Sequence, residues 1–121
     1  MKKHISSQKG EILFEQDVIA KYAGLSASEC FGVVGLASVN MKDGLARLLK
    51  NENITQGVTL NADEDGIRLD LHIIVAYGVS ISAVADNLMK DVKYRVEDFC
   101  GIKVKEVNVY VEGVRVLDEE D

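Results

Sequence analysis

The chain has 121 residues, of which 47% are hydrophobic, 28% charged and 6% aromatic, with no tryptophan and no proline. A chain of this length folds as one domain that buries roughly two thirds of its unfolded surface, here around an aliphatic core. The formal net charge of −6 repels nucleic-acid phosphates and anionic lipid headgroups, which argues against either as a bulk partner.

Nothing in the sequence indicates export or membrane insertion. Residues 1–7 are basic but are not followed by an apolar run, so they do not form a secretory signal. The longest fully apolar stretch, residues 73–77, is far shorter than the ~20 residues of a spanning helix. Cys30 and Cys100 are far apart without a second pair, which indicates free buried thiols in a reduced compartment. We therefore expect a cytoplasmic protein.

The first half of the chain predicts a strand, a helix and a second strand. Residues 10–14 are typical of an opening strand. Asp17 is a preferred N-cap residue. It starts a helix that places four residues on one face, namely Val18, Ile19, Tyr22 and Ala23. The helix ends either at Gly24 or after Glu29, and Gly32 closes it in both cases. Residues 33–39 then predict the second strand, although they contain glycine.

A short helix and a hairpin follow. Leu45, Leu48 and Leu49 favour one or two helical turns, and residues 51–53 form a polar connection. Residues 58–62 alternate as a half-buried strand, and residues 63–66 supply a turn with Asp-Gly as its strongest signal. In the returning strand one face carries Ile67, Leu69, Leu71, Ile73, Val75 and Tyr77, and the other carries Arg68, Asp70 and His72. Ile74 and Ala76 make the end of this second face apolar, which predicts a central strand.

The last third predicts an amphipathic helix and a closing strand. The helix begins near Ser80 or Ser82, and Gly101 suits the position just after its end. Its core stripe is predicted to be Ile81, Ala85, Leu88, Val92, Val96 and Phe99. The valines of the closing strand fall into two sets that simple alternation would place on opposite faces. One set is Val107, Val109 and Val111, and the other is Val104, Val114 and Val116. Bulges near Lys105 and at Gly113 would place all six on one face.

These elements predict a two-layer α+β single domain. The order is β-α-β-(α)-β-β-α-β, with a mixed β-sheet and the two main helices on one face. The domain covers residues 6–116, and residues 1–5 and 117–121 are expected to be flexible termini. The core is predicted to include Leu69, Leu71, Ile73, Val75, Leu88, Val92, Val96, Val107 and Val109.

Few residues suit catalysis or metal binding. His4 and His72 are the only histidines, and His72 is more typical of a solvated cross-strand residue than of a ligand. The acidic residues 63–65 lack the spacing of a calcium loop, and a polar hairpin turn explains them. No Ser or Cys is paired with a positioned base. We therefore expect no catalytic residues, no cofactor and no metal, and a solvated acidic tail at residues 118–121.

One alternative function is RNA binding. Gly32-Val33-Val34-Gly35 matches the two-glycine loop by which one class of RNA-binding module clamps backbone phosphates. The match is weak because its inner residues are apolar, a strand rather than a helix follows, and the acidic domain would repel RNA. Glycines that permit close packing at a strand start explain the pattern more simply. Enzymatic activity is the third and least favoured alternative.

In combination, several segments resemble the alkaline shock protein twenty-three, or Gls twenty-four, family of envelope stress response proteins of Gram-positive bacteria. The matching segments are Gly10-Glu11-Ile12, Val18-Ile19-Ala20, Glu29-Cys30-Phe31-Gly32-Val33, Gln56-Gly57-Val58, Tyr77-Gly78, Gly101-Ile102-Lys103-Val104 and Val107-Asn108-Val109. The resemblance covers residues from about 6 to 116. Cys30 and Cys100 depart from the residues expected there, and long polar extensions are absent.

This resemblance implies a non-catalytic cytoplasmic protein of cell-envelope homeostasis, held near the membrane by a membrane-anchored protein partner. It also implies a functional link to a fatty-acid or dihydroxyacetone kinase-like protein. The sequence leaves the oligomeric state open, with a homo-oligomer as one alternative. The family offers no catalytic residues to carry over. We expect a protein-interaction module, and one sheet face is the candidate interaction surface or else an ordinary solvated face. The residues of that face are Arg68, Asp70, His72, Asn108, Tyr110 and Glu112.

Overall fold

The computed structural model describes residues 2–7, 10–39, 44 and 46–117. The strands are β1 (Lys2–Ser7), β2 (Gly10–Glu15), β3 (Val33–Val39), β4 (Ala46–Leu48), β5 (Val58–Asp63), β6 (Gly66–Ala76) and β7 (Val104–Arg115). Helix α1 (Gln16–Ser28) lies between β2 and β3, a 3-10 segment (Asn51–Gly57) precedes β5, and helix α2 (Ile81–Cys100) connects β6 to β7. The predicted α+β class is confirmed.

Strand β6 is the centre of a mixed sheet, as predicted. Strand β7 runs parallel to it along one edge. Along the other edge, β5 pairs antiparallel with the first part of β6 and β3 with the last part. Strand β4 extends the sheet beyond β3. Because β6 has a neighbour on both edges along most of its length, its alternating side chains are fixed to two defined faces.

Both α-helices pack on one face of this sheet. The buried residues of α1 and α2 form one cluster with the inward-facing residues of β6. Seven of the predicted core residues have no exposed surface, namely Leu69, Leu71, Ile73, Val75, Leu88, Val92 and Val96. Val107 and Val109 lie on the edge strand β7 and are partly buried against the same cluster. The two-layer arrangement is therefore the one that the sequence predicts.

Helix α2 is capped at both ends by the expected residues. The side chain of Ser80 accepts a hydrogen bond from the backbone N–H of Ala83 at 3.3 Å. Gly101 has a φ of 73° and its N–H donates to the carbonyl oxygen of Glu97. Such caps satisfy backbone groups that the helix itself leaves unpaired.

The hairpin and the bulges are also confirmed. Asp63 pairs with Gly66 across a two-residue turn. Its carboxylate accepts the N–H of Asp65 at 2.8 Å and the ammonium of Lys105 at 2.6 Å. The hydrogen bond from Lys105 is the main reason that the pKa of Asp63 is lowered. Lys105 is skipped in the pairing of β6 with β7, and so is Glu112, next to Gly113.

Helix α1 runs through Gly24 to Ser28, and the glycine lets the helix approach neighbouring side chains closely. A Cβ at this position would lie 3.2 Å from Cγ1 of Ile54 and 3.3 Å from Cγ2 of Val58. The buried face contains Ile19, Ala23 and Ala27, whereas Val18, which was predicted on this face, is 46% exposed.

Three more predictions about secondary structure and packing are wrong. The predicted helical turn is instead β4, which pairs Leu48 with Ala37 of β3; Leu45 lies outside the described residues. A segment this short gains more from sheet pairing than from an isolated helical turn. The buried stripe of α2 is Val84, Leu88, Val92, Val96 and Cys100, while Ile81 and Phe99 are exposed. Tyr77 follows β6 and is 73% exposed rather than part of its buried face.

The opening of the chain also differs from the prediction. Residues 2–7 form β1, which pairs antiparallel with β2, where the sequence predicts only one strand. Residues 2–5, expected to belong to a flexible terminus, therefore lie in a strand. Residues 118–121, the expected acidic tail, lie outside the described residues.

Candidate functional site

The six residues of the candidate interaction surface lie together on the sheet face opposite the helices. Strand register places Asp70 beside Asn108 and His72 beside Tyr110. It also places Arg68 beside Glu106, which the sequence analysis did not include. Glu106 alternates in step with Asn108 and Tyr110 along β7, so strand parity alone places it on this face, and the sequence analysis overlooked it. We call these seven residues the polar sheet face.

Each cross-strand pair of the polar sheet face is joined by a direct contact. The amide of Asn108 donates to Oδ1 of Asp70 at 2.9 Å. Nη1 of Arg68 lies 3.9 Å from Oε1 of Glu106. The imidazole of His72 and the ring of Tyr110 stack with centroids 4.9 Å apart and an interplanar angle of 15°. Cross-strand contacts of this kind each stabilise the sheet by roughly 0.2–1 kcal/mol and restrain the side chains that make them.

The bulge at Glu112 adds a further contact to this face. Nδ1 of His72 lies 2.6 Å from Oε2 of Glu112, and both side chains are less than one third exposed. An ionised carboxylate can only accept, so this contact is a hydrogen bond in the form of the imidazole that has its N–H at Nδ1. His72 is thus held by Glu112 and covered by the ring of Tyr110. Tyr110 is 46% exposed and presents an aromatic surface to solvent.

The loop proposed for RNA binding lacks the geometry of a phosphate clamp. Val33 and Gly35 pair with Val75 and Ile74, so this segment belongs to the sheet. The carbonyl oxygen of Gly32 accepts from the N–H of Ala76 at 2.9 Å. The close-packing explanation for the glycines is supported, since a Cβ at Gly35 would lie 2.8 Å from Cδ1 of Leu48. The two glycines therefore serve close packing within the sheet, which explains the weak sequence match to an RNA-binding loop.

The two cysteines are poor nucleophiles. Sγ of Cys30 lies 3.4 Å from Oδ2 of Asp91, and burial together with this hydrogen bond and charge raises the pKa of the thiol to about 11. Burial likewise raises the pKa of Cys100. Both thiols therefore remain protonated near neutral pH. Across the described part of the chain, His, Cys, Asp and Glu form no group of three or more suited to a metal.

A second surface lies where β6 and β7 end and α2 begins. The carbonyl oxygen of Gly32 and that of Arg115 accept hydrogen bonds from the successive amides of Ala76 and Tyr77, both at 2.9 Å. Three backbone segments therefore run side by side at about the 4.8 Å spacing of strands. We call this surface the apolar pole; its residues are Phe31, Tyr77, Val79, Ile81, Val84 and Val116.

The apolar pole combines exposed rings with an open cavity. Phe31 is 79% exposed, Tyr77 73% and Val116 72%. A cavity of about 480 Å³ lies between Phe31, Val79, Ala83 and Val84, with Ser80 and Asn87 among its polar lining residues. The sequence analysis did not identify this surface, because its residues come from three distant segments. The one feature of the local sequence that could have indicated this surface is the cluster of apolar residues just before and at the start of α2, namely Tyr77, Val79 and Ile81.

A comparison with protein families matches residues 4–116 to the Asp twenty-three (alkaline shock protein twenty-three) family, described as having a cell envelope-related function. The protein YloU of Bacillus subtilis is 44% identical over 94% of this chain and 96% of its own length. The protein Spy1614 of Streptococcus pyogenes is 40% identical over 95% of this chain and 96% of its own length.

A more distant relative carries a functional name. A Streptococcus pyogenes protein named stress response regulator gls24 homolog is 25% identical over 94% of this chain and 64% of its own length. No solved structure matches the chain. Among the helices of the described residues, none is long and apolar enough to cross a membrane.

Proposed function

We propose that this chain, which belongs to the alkaline shock protein twenty-three family of cell envelope-related proteins, is a non-catalytic protein-interaction module. It serves the envelope stress response and is held near the membrane, on its cytoplasmic side, by a membrane-anchored protein partner. The family match and the stress-response name of one relative support the cellular context. The interaction role rests on the surfaces of the domain.

The polar sheet face is the observation that carries the proposal. Both α-helices pack on the opposite face of the sheet, and the polar side chains are fixed by mutual contacts. A surface whose side chains are already ordered loses little conformational entropy when a partner binds. Tyr110 adds an exposed ring, and aromatic residues are enriched at protein–protein contacts. This combination suits a protein partner better than a small substrate.

The charge of the domain favours recruitment by a protein over direct binding to lipid. The net charge is −6, and the polar sheet face contains three carboxylates and one guanidinium. Peripheral binding to anionic membranes usually requires basic clusters or an amphipathic basic helix. We therefore expect the purified protein to remain unbound in flotation experiments with anionic vesicles. Flotation with protein-free vesicles would contradict recruitment by a partner.

The proposed contact is tested with Tyr110→Ala. Loss of this ring should weaken membrane association in cells by about tenfold, as for a central interface residue. Tyr94→Ala is the matched control, because Tyr94 is 71% exposed on α2, outside the polar sheet face. The measurement is the membrane-bound share of each variant after cell fractionation. If Tyr110→Ala and Tyr94→Ala fractionate like the parent protein, the polar sheet face is not the recruiting surface.

A further inference from the structure

The outer edge of β7 is an open strand edge. In the described part of the chain, β7 pairs with β6 alone, along 12 residues. An open edge presents unpaired backbone N–H and C=O groups, and proteins usually protect such edges with lysine, proline, bulges or short length. The chain contains no proline, and residues 106–115 contain no lysine. Since the one bulge in this stretch lies at Glu112, the edge is long and little protected.

The hydrogen bonds between β6 and β7 identify the backbone groups that point to this outer edge. The amide of Ile67 donates to the carbonyl oxygen of Lys103 at 2.8 Å, so Ile67 and the other odd-numbered residues of β6 direct their backbone groups at β7. In a parallel pair, each such residue bonds the two neighbours of its partner, and the partner directs its own N–H and C=O away. The partners in residues 106–115 are Val107, Val109, Val111 and Val114.

The side chains of the edge alternate in a pattern that carries opposite charges at its two ends. The four valines share the face of the sheet on which the helices pack, because they lie beside core residues of β6. The other face carries Glu106, Asn108, Tyr110, Gly113 and Arg115. Glu106 and Arg115 are both exposed. When the bulged Glu112 is left out of the count, Tyr110 is the midpoint between these two charges.

A second copy of the chain is complementary to this edge in one antiparallel register. With the two copies centred on Tyr110, Glu106 of each copy lies opposite Arg115 of the other, and Glu112 is the extra residue of a bulge in both. The valines then lie opposite valines, Val107 with Val114 and Val109 with Val111. Because these are the residues whose backbone groups point outward, the two edges form about eight hydrogen bonds.

Neighbouring registers lose this charge complementarity. Centring the two copies on Val109 places Arg115 opposite Lys103, and like charges opposite each other destabilise a strand pair. Centring them on Val111 places Arg115 opposite Asn108 and leaves Glu106 without a cation. Registers that differ by a single residue place valines opposite polar side chains on the wrong face. The pattern of β7 therefore selects the register centred on Tyr110.

We infer that the outer edge of β7 binds a second copy of the chain in this antiparallel register. The two sheets join into one around a two-fold axis at Tyr110, which makes the interface self-complementary. All four α-helices lie on one side of the joint sheet and both polar sheet faces lie on the other. Pairing of two copies goes beyond the proposed function, because it requires no membrane partner and is testable with the purified chain.

Charge reversal tests the ends of the paired strands. Sedimentation equilibrium should show a dimer of the parent protein. Arg115→Glu places like charges opposite each other at both ends and should raise the dissociation constant of the dimer at least about tenfold. Addition of Glu106→Lys to this variant should restore most of the loss, because the opposite charges are then exchanged.

The matched control is Lys90→Glu. Lys90 is exposed on α2, and its reversal changes the net charge by the same amount as Arg115→Glu, so it should leave the dissociation constant unchanged. A monomeric parent protein would overturn the inference. Equal dissociation constants for the parent protein, Arg115→Glu and the double variant would also overturn it.

A disulfide at the two-fold axis tests the register itself. Tyr110 lies opposite its own copy in a pair without backbone hydrogen bonds, where the Cα atoms are about 4.5 Å apart. This distance permits a disulfide, so Tyr110→Cys should give a covalent dimer on mild oxidation. Asn108→Cys is the control, because it is on the same face but at least about 13 Å from its copy.

The native thiols, Cys30 and Cys100, are both buried and should not contribute to this product. The covalent dimer is measured by non-reducing electrophoresis. Equal yields from Tyr110→Cys and Asn108→Cys, or a covalent dimer from Asn108→Cys alone, would overturn the inferred pairing.

Discussion

Substitution of Gly32 by alanine is predicted to destabilise the fold through backbone strain and through one identified steric contact. Gly32 has a φ of +85°, and a Cβ there would lie 2.5 Å from Cγ2 of Val84, which is buried on α2. A left-handed backbone costs roughly 1–2 kcal/mol for a residue with a Cβ. Overpacking against Val84 adds roughly 1–3 kcal/mol. We therefore expect Gly32→Ala to lower the free energy of unfolding by about 2–5 kcal/mol.

Gly78→Ala separates the backbone cost from the steric cost. Gly78 has a similar φ of +94°, but a Cβ there would meet nothing within 4 Å. This variant should lose only the backbone part, about 1–2 kcal/mol. The free energy of unfolding is measured by urea denaturation, with an unchanged m-value as the check on comparability. The difference between the two variants measures the clash with Val84.

A double-mutant cycle identifies the contact partner. Val84→Ala removes the methyl group that a Cβ at position 32 would strike, so the two substitutions should couple by roughly 0.5–3 kcal/mol in the favourable direction. If Gly32→Ala and Gly78→Ala are equally destabilising and the cycle shows no coupling, the packing of the 29–32 loop against α2 is wrong.

Three further predictions concern the core, a helix cap and a thiol. Leu71→Ala should lower the free energy of unfolding by about 2–5 kcal/mol, because it leaves a cavity beside the central strand. Val111→Ala should lower it clearly less, because Val111 is already 36% exposed. Equal losses in urea denaturation would contradict the assigned faces. Ser80→Ala should cost about 0.5–2 kcal/mol through loss of the N-cap of α2, and Ser82→Ala only a few tenths; a reversed order would place the cap at Ser82. Because burial and Asp91 raise the pKa of Cys30 from 9.0 to about 11, this thiol stabilises the fold fully below pH 9 and loses that contribution as the pH rises towards 11. The stability difference between the parent protein and Cys30→Ala should therefore shrink over this range, and a constant difference would refute the shift.

Features of the fold that depend on local periodicity and turn chemistry are predictable from this sequence. The alternation in β6, the Asp-Gly turn, the caps of α2 and the two bulges of β7 follow from residues close together in the chain. The 45–49 segment and the ends of the α2 stripe were mispredicted because tertiary contacts decide them. Leu48 pairs with β3, and Phe99 stacks on Tyr22 of α1 with centroids 4.2 Å apart.

The candidate surfaces, too, are predictable from the sequence only where local periodicity determines them. Strand parity is sufficient to place Arg68, Asp70 and His72 on one face, and register then brings Asn108 and Tyr110 beside them. Glu106 has the same parity as Asn108 and Tyr110, so alternation along β7 also places it on this face, beside Arg68. The apolar pole was not predictable from any single segment. Phe31, Tyr77 and Val116 lie in three separate segments, which are joined by the hydrogen bonds from Ala76 to Gly32 and from Tyr77 to Arg115.

Recruitment by a membrane protein is the central claim, and binding to native membranes tests it most directly. Purified protein is mixed with cytoplasmic-side-out membrane vesicles from cells that lack this chain, with the same vesicles after protease treatment, and with protein-free vesicles made from their extracted lipids. We predict that the protein sediments with the untreated membranes and remains in solution with the other two preparations. Equal sedimentation with the lipid vesicles, or binding that survives protease treatment, would contradict the account.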